Sequence, residues 1–332
     1  MLKIISIALF ILLTLQSCSF GSKPVKKQAS FPAWVSNPPN DTSSKIYGTG
    51  SGFSPVEAKE AALKDISGKL ITKISSQSKS EISQFNDSVA RSATQNINTS
   101  TVATQLSNYK VVNSTQIGDK LFIQLSISRS EFIKTTTSQL KELDDKIKST
   151  LRSASRKTKL QQLIASQNLR PTIDKARTLV RLLQAAGGTQ NTDKYLAYYN
   201  DIIRKTNDLL YAVRFRVSSN ASLNGFAQHL VTLLHNKNIS ASMGSKGRAD
   251  AHIQISGNIK TSTAFSQHMS QLTVNIKISD KNNRVISVRE YESSGSSTTD
   301  SNSASSSAIK SMGAQFKNNG VLASLGLLEN SN

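Results

Sequence analysis

The first seventeen residues constrain this chain more than any other stretch. Lys3 is the only charged residue in Met1–Ser17, and it precedes an apolar run from Ile4 to Leu13 that only Ser6 interrupts. A membrane-spanning helix needs about 20 apolar residues, so this run is too short to cross a bilayer comfortably. A positive head, a short apolar run and a small residue before a cleavage site are typical of a secretory signal. We therefore predict that residues 1–17 are a signal peptide.

The residues that end the run, Leu15-Gln16-Ser17-Cys18, resemble a bacterial lipobox. In that motif a lipid such as a palmitate-bearing diacylglyceryl group is attached to the cysteine thiol, a strong nucleophile, and the chain is cut just before it. Cys18 is the only cysteine, so it is the predicted lipidation site and no disulfide can form within the chain. The alternatives are an ordinary secretory signal with a chance cysteine, or a buried core cysteine. By resemblance to Gram-negative lipoproteins, Ser19 favours the outer membrane, since an aspartate there favours inner-membrane retention.

The charge of the chain bears on its partners. The formal net charge is +20, and loss of Lys3 with the signal peptide leaves 20 − 1 = +19. Such a field attracts lipid headgroups, lipopolysaccharide phosphates or peptidoglycan carboxylates. Nucleic acid is not expected as a partner of an envelope protein. The basic residues are spread along the chain rather than clustered, so a solvated charged surface is the simpler explanation. Residues 18–30, with Gly21, Pro24 and three lysines, are predicted to be a lipidated, flexible tether.

Residues 31–151 carry the pattern of a small α+β domain. A strand is predicted at Lys45–Ser51, and a helix follows it with Ser54 as N-cap, Pro55 at its first position and Glu57 in a capping box. The segment Gly48-Thr49-Gly50-Ser51-Gly52 lacks the Gly-Lys-Ser/Thr of a phosphate-binding loop. Its glycines are predicted instead to allow close approach of strand and helix, or unusual dihedral angles.

The same region continues with a predicted hairpin over Thr101–Asn113 and Lys120–Ser128, closed near Ile117-Gly118-Asp119. In the second strand, Leu121, Ile123, Leu125 and Ile127 alternate with their neighbours at the period of a half-buried strand. A helix is predicted over Glu131–Leu151. The expected fold class is therefore α+β, with helices packed on an antiparallel sheet.

Three short motifs in this region resemble the LPP-twenty family of bacterial outer-membrane lipoproteins, a broad group that includes the flagellar lipoprotein FlgP. They are Pro32-Ala33-Trp34-Val35 with Pro38-Pro39, Tyr47-Gly48-Thr49-Gly50-Ser51-Gly52, and Glu57-Ala58-Lys59 followed by Ala62-Leu63 and Asp65-Ile66. The resemblance covers about residues 31–151, under half of the chain. It implies a small α+β domain without catalytic residues, and a role in envelope structure, flagellar assembly or surface antigenicity.

Residues 152–211 are predicted to form a helical hairpin that connects two domains. Pro171 breaks or restarts the first helix, and Gly187-Gly188 supplies the turn before a helix over Asp193–Tyr211. Tyr195, Tyr198 and Tyr199 could form an aromatic binding face, but at helical spacing they are more often core or helix-edge residues.

A C-terminal α+β domain is predicted over residues 212–332. Its helix spans about Ser222–Lys237, and strands are predicted at Ile239–Met243, Ala251–Thr261, Leu272–Ser279 and Arg284–Glu292. Asp280-Lys281-Asn282-Asn283 has the composition of a hairpin turn. The serine-rich stretch Ser293–Ser307 extends a strand or forms a loop before a last helix. The apolar tail Val321–Leu328 is expected to dock on its own domain or on a partner.

No catalytic or metal-binding constellation is recognisable. His229 and His235 lie six residues apart, so they do not share a helix face, and His252 falls on the polar side of its strand. There is no His-Glu-x-x-His, and no serine lies in Gly-x-Ser-x-Gly. We therefore expect no enzyme activity, no cofactor and no bound metal.

Two functions of different classes remain. The first is a non-enzymatic, lipid-anchored outer-membrane lipoprotein that faces the periplasm or the cell surface and acts as an envelope scaffold or assembly factor. Its partners would be envelope or flagellar assembly proteins, or further copies of itself. The second is a binding module for an anionic envelope polymer, either peptidoglycan or lipopolysaccharide.

Overall fold

The computed structural model describes residues 31–85, 106, 108–188, 191–244 and 247–328, and the side chains of the helix over 55–85 as far as residue 76. The predicted signal peptide, Cys18 and the tether lie outside the described residues. The described chain falls into two compact units, one containing residues 31–42, 46–66 and 110–126, the other 43–45, 67–85, 106, 108–109 and 127–328. The predicted domain boundaries at residues 151 and 211 stay predictions.

The secondary structure alternates between helical and strand-rich stretches. In chain order the elements are α1 (Ala33–Ser36), β1 (Lys45–Gly52), α2 (Pro55–Phe85), β2 (Tyr109–Ile117), β3 (Lys120–Ser128), α3 (Arg129–Ala154), α4 (Lys159–Asn168), α5 (Arg170–Ala186), α6 (Thr192–Ala212), β4 (Arg214–Ser219), a 3₁₀ turn (Ala221–Leu223), α7 (Asn224–His235), β5 (Ser240–Met243), β6 (Ala251–Ala264), β7 (Gln267–Asp280), β8 (Val285–Ser297), α8 (Ser301–Asn319) and α9 (Val321–Ser324). None of the described helices is both long enough and apolar enough to span a membrane.

The first unit is built on a three-stranded antiparallel sheet in the order β1-β3-β2. Helix α2 packs against β1 so closely that glycines are required along the strand. A Cβ added at Gly48 would lie 2.3 Å from the carbonyl oxygen of Ala62, and one at Gly50 would lie 2.2 Å from the amide nitrogen of the same residue. The prediction that these glycines allow close approach of strand and helix is confirmed.

The start of α2 is fixed by the predicted capping residues, with one difference. Ser54 Oγ accepts a hydrogen bond from the amide of Glu57 at 3.2 Å. The Glu57 carboxylate reaches back one residue further than expected, and its Oε2 accepts from the amide of Phe53 at 2.9 Å. Both bonds satisfy amides that the helix itself cannot pair.

The helices α3 to α6 of the second unit pack on one another, with α5 against both α3 and α6. Helix α5 is buried over most of its surface. It ends at Gly187, whose φ of 90° is the left-handed conformation that favours glycine. The predicted hairpin is therefore present as α5 and α6, while Pro171 lies in the first turn of α5.

A five-stranded mixed sheet in the order β5-β4-β6-β7-β8 forms the rest of the second unit. Strand β4 runs parallel to both β5 and β6, whereas β6, β7 and β8 form an antiparallel meander. Helices α7 and α8 cover one face. Their apolar side chains share one core with the sheet, which includes Phe226, Phe316 and Val274. The expected α+β class is thus confirmed.

The apolar tail over residues 321–328 contributes to this core. Val321, Leu325 and Leu327 of the tail are buried in it, so the tail docks on its own unit, one of the two expected arrangements. The hairpin turn at 280–283 is also confirmed. Asp280 Oδ1 accepts hydrogen bonds from the amides of Asn282 at 2.9 Å and Arg284 at 3.0 Å, and Asn283 takes a positive φ of 61°.

Candidate binding surface on the C-terminal sheet

The predicted lipidation site, Cys18, lies outside the described residues, so its lipidation stays a prediction. The tyrosines and histidines considered in the sequence analysis lie within the described residues. Tyr199 is buried, and its ring packs near those of Tyr195 and Tyr198 at centroid distances of 6.1 and 5.5 Å. Its phenol donates to Asp144 Oδ1 at 3.2 Å. Tyr199 is therefore a core residue, as helical spacing favours.

The pKa of Tyr199 is raised above its ordinary value, first because burial disfavours the phenolate and then because the Asp144 carboxylate is close. The pKa of Lys148 is also raised, chiefly by its bond to Asp144. These shifts describe a buried polar contact between two helices rather than a reactive centre.

The four histidines are dispersed. His235 Nε2 lies 2.7 Å from the carbonyl oxygen of Ala241, and His229 packs against Gly313, where an added Cβ would meet its ring. His268 Nδ1 lies 3.0 Å from Thr263 Oγ1 and 3.3 Å from Ser301 Oγ. Across the part of the chain that the structure describes, no three His, Cys, Asp or Glu side chains are grouped so as to hold a metal ion.

The feature best suited to binding is the face of the C-terminal sheet that points away from α7 and α8. Strand residues alternate between the two faces, and every apolar position of β7 from Leu272 to Ile278 points into the core. The residues between them are polar, and the strand register places Thr273 and Asn275 beside polar neighbours, whereas Lys277 pairs with Val288. The rows run Ser256–Asn275–Glu290, Asn258–Thr273–Glu292 and Lys260–Gln271–Ser294. We call these residues the open face.

A cavity of about 830 Å³ adjoins the open face toward the β6–β7 turn. Two consecutive rows of the register contribute to its lining, Lys260–Gln271–Ser294 and Ser262–Met269–Ser296. The remaining lining residues are Thr261, Ser270, Glu292, Ser293, Gly295, Ser307 and Ser311. Eight of these thirteen residues carry an aliphatic hydroxyl group, and strand alternation divides those of the strands between the two sides of the sheet. Ser262, Ser294 and Ser296 share the open face with Lys260, Gln271 and Glu292, whereas Thr261, Ser270 and Ser293 point to the α8 side. We call the cavity the hydroxyl pocket.

Helix α8, which lies on the opposite side of the sheet from the open face, contributes Ser307 and Ser311 to the lining and approaches β8 closely because β8 has a glycine where the two meet. A Cβ added at Gly295 would lie 2.2 Å from the amide nitrogen of Ala308 and 2.4 Å from the carbonyl oxygen of Ala304. Ser293 Oγ also donates to the carbonyl oxygen of Ala308 at 2.8 Å. Ser270 Oγ lies 3.2 Å from Ser305 Oγ. These contacts fix the helix on the strands that line the pocket.

Only part of this pocket is recognisable from the sequence. Ser293–Ser307 stood out as serine-rich, but serine has no strong periodic preference. The structure resolves the two alternatives for this stretch, since β8 extends to Ser297 and α8 begins at Ser301. Strands β6 and β7 also run past their predicted ends to a two-residue turn at Phe265 and Ser266. The lining residues Ser262, Met269, Ser270 and Gln271 therefore lie in stretches that periodicity did not assign.

Comparisons with known proteins do not place the chain in a family. No family model and no curated protein matches it. Among solved structures, a secreted protein of Helicobacter pylori is similar, with 16% sequence identity and a TM-score of 0.46. The match covers 74% of this chain and 85% of the Helicobacter pylori protein. A minor lipoprotein of Acinetobacter baumannii is similar with 13% sequence identity and a TM-score of 0.27. That match covers 32% of this chain and 87% of the Acinetobacter baumannii protein. The resemblance to the LPP-twenty family stays a prediction.

Proposed function

We propose that the protein is a non-enzymatic lipoprotein, anchored in the bacterial outer membrane through lipidated Cys18, that acts as an envelope scaffold or assembly factor. The lipobox-like Leu15-Gln16-Ser17-Cys18 supports the anchor. Several acyl chains on one cysteine hold a protein on a membrane far more firmly than a single chain, since each buried CH₂ contributes roughly 0.8 kcal/mol.

The open face with its hydroxyl pocket is the structural observation that carries the binding part of the proposal. Helices cover one side of the five-stranded sheet, while the other side carries polar residues from β6 to β8. Binding sites are concave, and a few precisely placed polar groups in them fix the orientation and specificity of the ligand. Strand β8 is an edge strand of thirteen residues, and edge strands also accept partner segments by adding a strand.

Chemical crosslinking in intact cells tests this proposal. Wild-type protein and Cys18→Ala are compared after membrane fractionation, and captured proteins are identified by mass spectrometry. We expect wild type in the outer-membrane fraction with a defined set of envelope proteins, and Cys18→Ala released from that fraction without them. Wild type recovered outside the membranes would overturn the anchor, and a membrane-bound wild type that captures no envelope component would overturn the scaffold.

The net charge of +20 favours a second candidate, a module that binds an anionic envelope polymer. Attraction between a basic protein and a polyanion is screened by salt within about 10 Å at 0.1 M ionic strength. This candidate therefore predicts sedimentation with purified peptidoglycan or lipopolysaccharide that falls steeply between 50 and 300 mM salt (about sixfold in concentration) and persists in Cys18→Ala.

A further inference from the structure

We propose that the hydroxyl pocket binds an uncharged oligosaccharide. The inference deepens the proposed function, because it names a ligand class for the open face of an envelope protein. Anchoring through Cys18 and sugar binding through the pocket are separate properties, so each can fail while the other holds.

The lining chemistry matches a sugar. Sugar hydroxyls donate one hydrogen bond and accept others, and the serine hydroxyls on the open face have the same double capacity. No hydrogen bond among the described residues engages the hydroxyls of Ser262, Ser294 or Ser296, which leaves them available to a ligand. Met269 is the only large apolar side chain of the lining, so the pocket offers little to a lipid or an aromatic ligand.

The charges of the pocket favour an uncharged ligand over a polyanion. Lys260 and Glu292 are its only ionised groups, and they cancel. Among the described residues neither takes part in an ion pair, so both are available to accept or donate charge-assisted hydrogen bonds, which are stronger than neutral ones. Gln271 lies on β7, between the strands that carry Lys260 and Glu292, and its amide adds a donor and an acceptor.

The pocket is held in shape before a ligand arrives. The β6–β7 pairing is unbroken to the turn, ending with Ala264 opposite Gln267. His268, beside that turn, contacts both Thr263 on β6 and Ser301 at the start of α8. A preformed site loses less conformational entropy on binding, which matters for a ligand as flexible as an oligosaccharide. A volume of about 830 Å³ lies within the usual range for small-molecule sites.

The test uses the purified full-length protein in a zwitterionic, sugar-free detergent, with chitotriose and cellotriose as uncharged probes. Binding is followed by saturation-transfer NMR and titration calorimetry at 50 and 300 mM salt. We expect at least one of the two sugars to bind, with an affinity that salt changes less than twofold. Glu292→Ala should weaken binding about tenfold, the loss expected for one charge-assisted hydrogen bond.

Glu142→Ala is the control, because Glu142 is an exposed glutamate of α3 that belongs neither to the open face nor to the pocket lining. It should bind sugar as wild type does. Gln271→Ala provides a second pocket variant that leaves the charge unchanged. Failure of both sugars to bind, equal binding by Glu292→Ala and wild type, or binding only to anionic lipopolysaccharide fragments would each overturn the inference. None of these results bears on whether Cys18 anchors the chain.

Discussion

The phenol of Tyr199 donates a hydrogen bond to Asp144, and this bond joins α6 to α3 inside the helical part of the second unit. Tyr199 is 0% exposed and Asp144 4% exposed. Lys148, one turn further along α3, forms an ion pair of 2.6 Å with the other carboxylate oxygen. Because a buried carboxylate needs partners, the tyrosine and the lysine together make this aspartate tolerable in the core.

Tyr199→Phe should lower the free energy of unfolding by about 1–3 kcal/mol, because it leaves one buried carboxylate oxygen without its donor. Urea unfolding of the purified protein measures the change. Tyr198→Phe is the control, since Tyr198 is partly exposed and its hydroxyl makes no hydrogen bond among the described residues. Equal losses in the two variants would show that the bond to Asp144 contributes nothing of its own.

The same pair predicts a dependence on alkaline pH. The pKa of Tyr199 is higher in the folded protein than its ordinary value near 10, so its contribution to stability is complete below pH about 10 and declines as the pH rises further. The free energy of unfolding of wild type and of Tyr199→Phe is measured at pH 9 and pH 11. The difference between the two proteins should shrink as the pH rises above about 10, by up to about 1.4 kcal/mol per pH unit. Parallel curves would contradict a folded-state shift at Tyr199. Tyr198 and Lys148 also have raised pKa values, but both variants contain them.

Two glycine substitutions should act in opposite directions. A Cβ at Gly50 would lie 2.2 Å from the backbone of Ala62, so Gly50→Ala should destabilise the protein by about 3 kcal/mol. A Cβ at Gly68, within α2, meets no atom within 4 Å, so Gly68→Ala should stabilise it by about 0.5–1 kcal/mol. Thermal unfolding of both variants gives the comparison. A neutral Gly50→Ala would mean that β1 and α2 are further apart than described.

Residues that favour the backbone geometry of the β6–β7 turn should stabilise the protein when they replace those now in the turn. Phe265 and Ser266 take positive φ values of 51° and 59°, and Phe265 is fully exposed. Asn-Gly is preferred in two-residue turns of this kind. Phe265→Asn with Ser266→Gly should therefore raise the free energy of unfolding by about 1–2 kcal/mol. Gln267→Gly, in the adjoining strand, is expected to lower it, and a double variant less stable than wild type would contradict the turn geometry.

Features of the fold that depend on neighbouring residues are predictable from the sequence. The strands that contain Ile253 and Ile276, the cap at Ser54 and the turn at Asp280 each depend on a few neighbouring residues, and the sequence predicts all of them. The parallel pairing of β4 with both β5 and β6 depends on contacts far apart in sequence, so periodicity contains no sign of it.

The hydroxyl pocket could not be predicted from the sequence, because it too depends on contacts between distant residues. Its lining comes from three strands and from α8, and the turn that extends two of those strands holds Phe265 and Ser266 instead of the usual glycine or asparagine. The Asp144–Tyr199 bond joins residues 55 apart in sequence, and neither residue type signals the other. Only the packing of α3 against the later helices brings them together.

Site-specific photo-crosslinking in intact cells tests whether the open face of the C-terminal sheet binds a partner in the envelope. A photoreactive amino acid replaces Asn258 on the open face or, as the control, Lys310 on the exposed side of α8, in a chain that retains Cys18. A binding surface on the open face predicts a discrete crosslinked product in the outer-membrane fraction from position 258 and none from position 310. The same products from both positions, or no product from position 258 in membrane-bound protein, would contradict a binding surface on the open face.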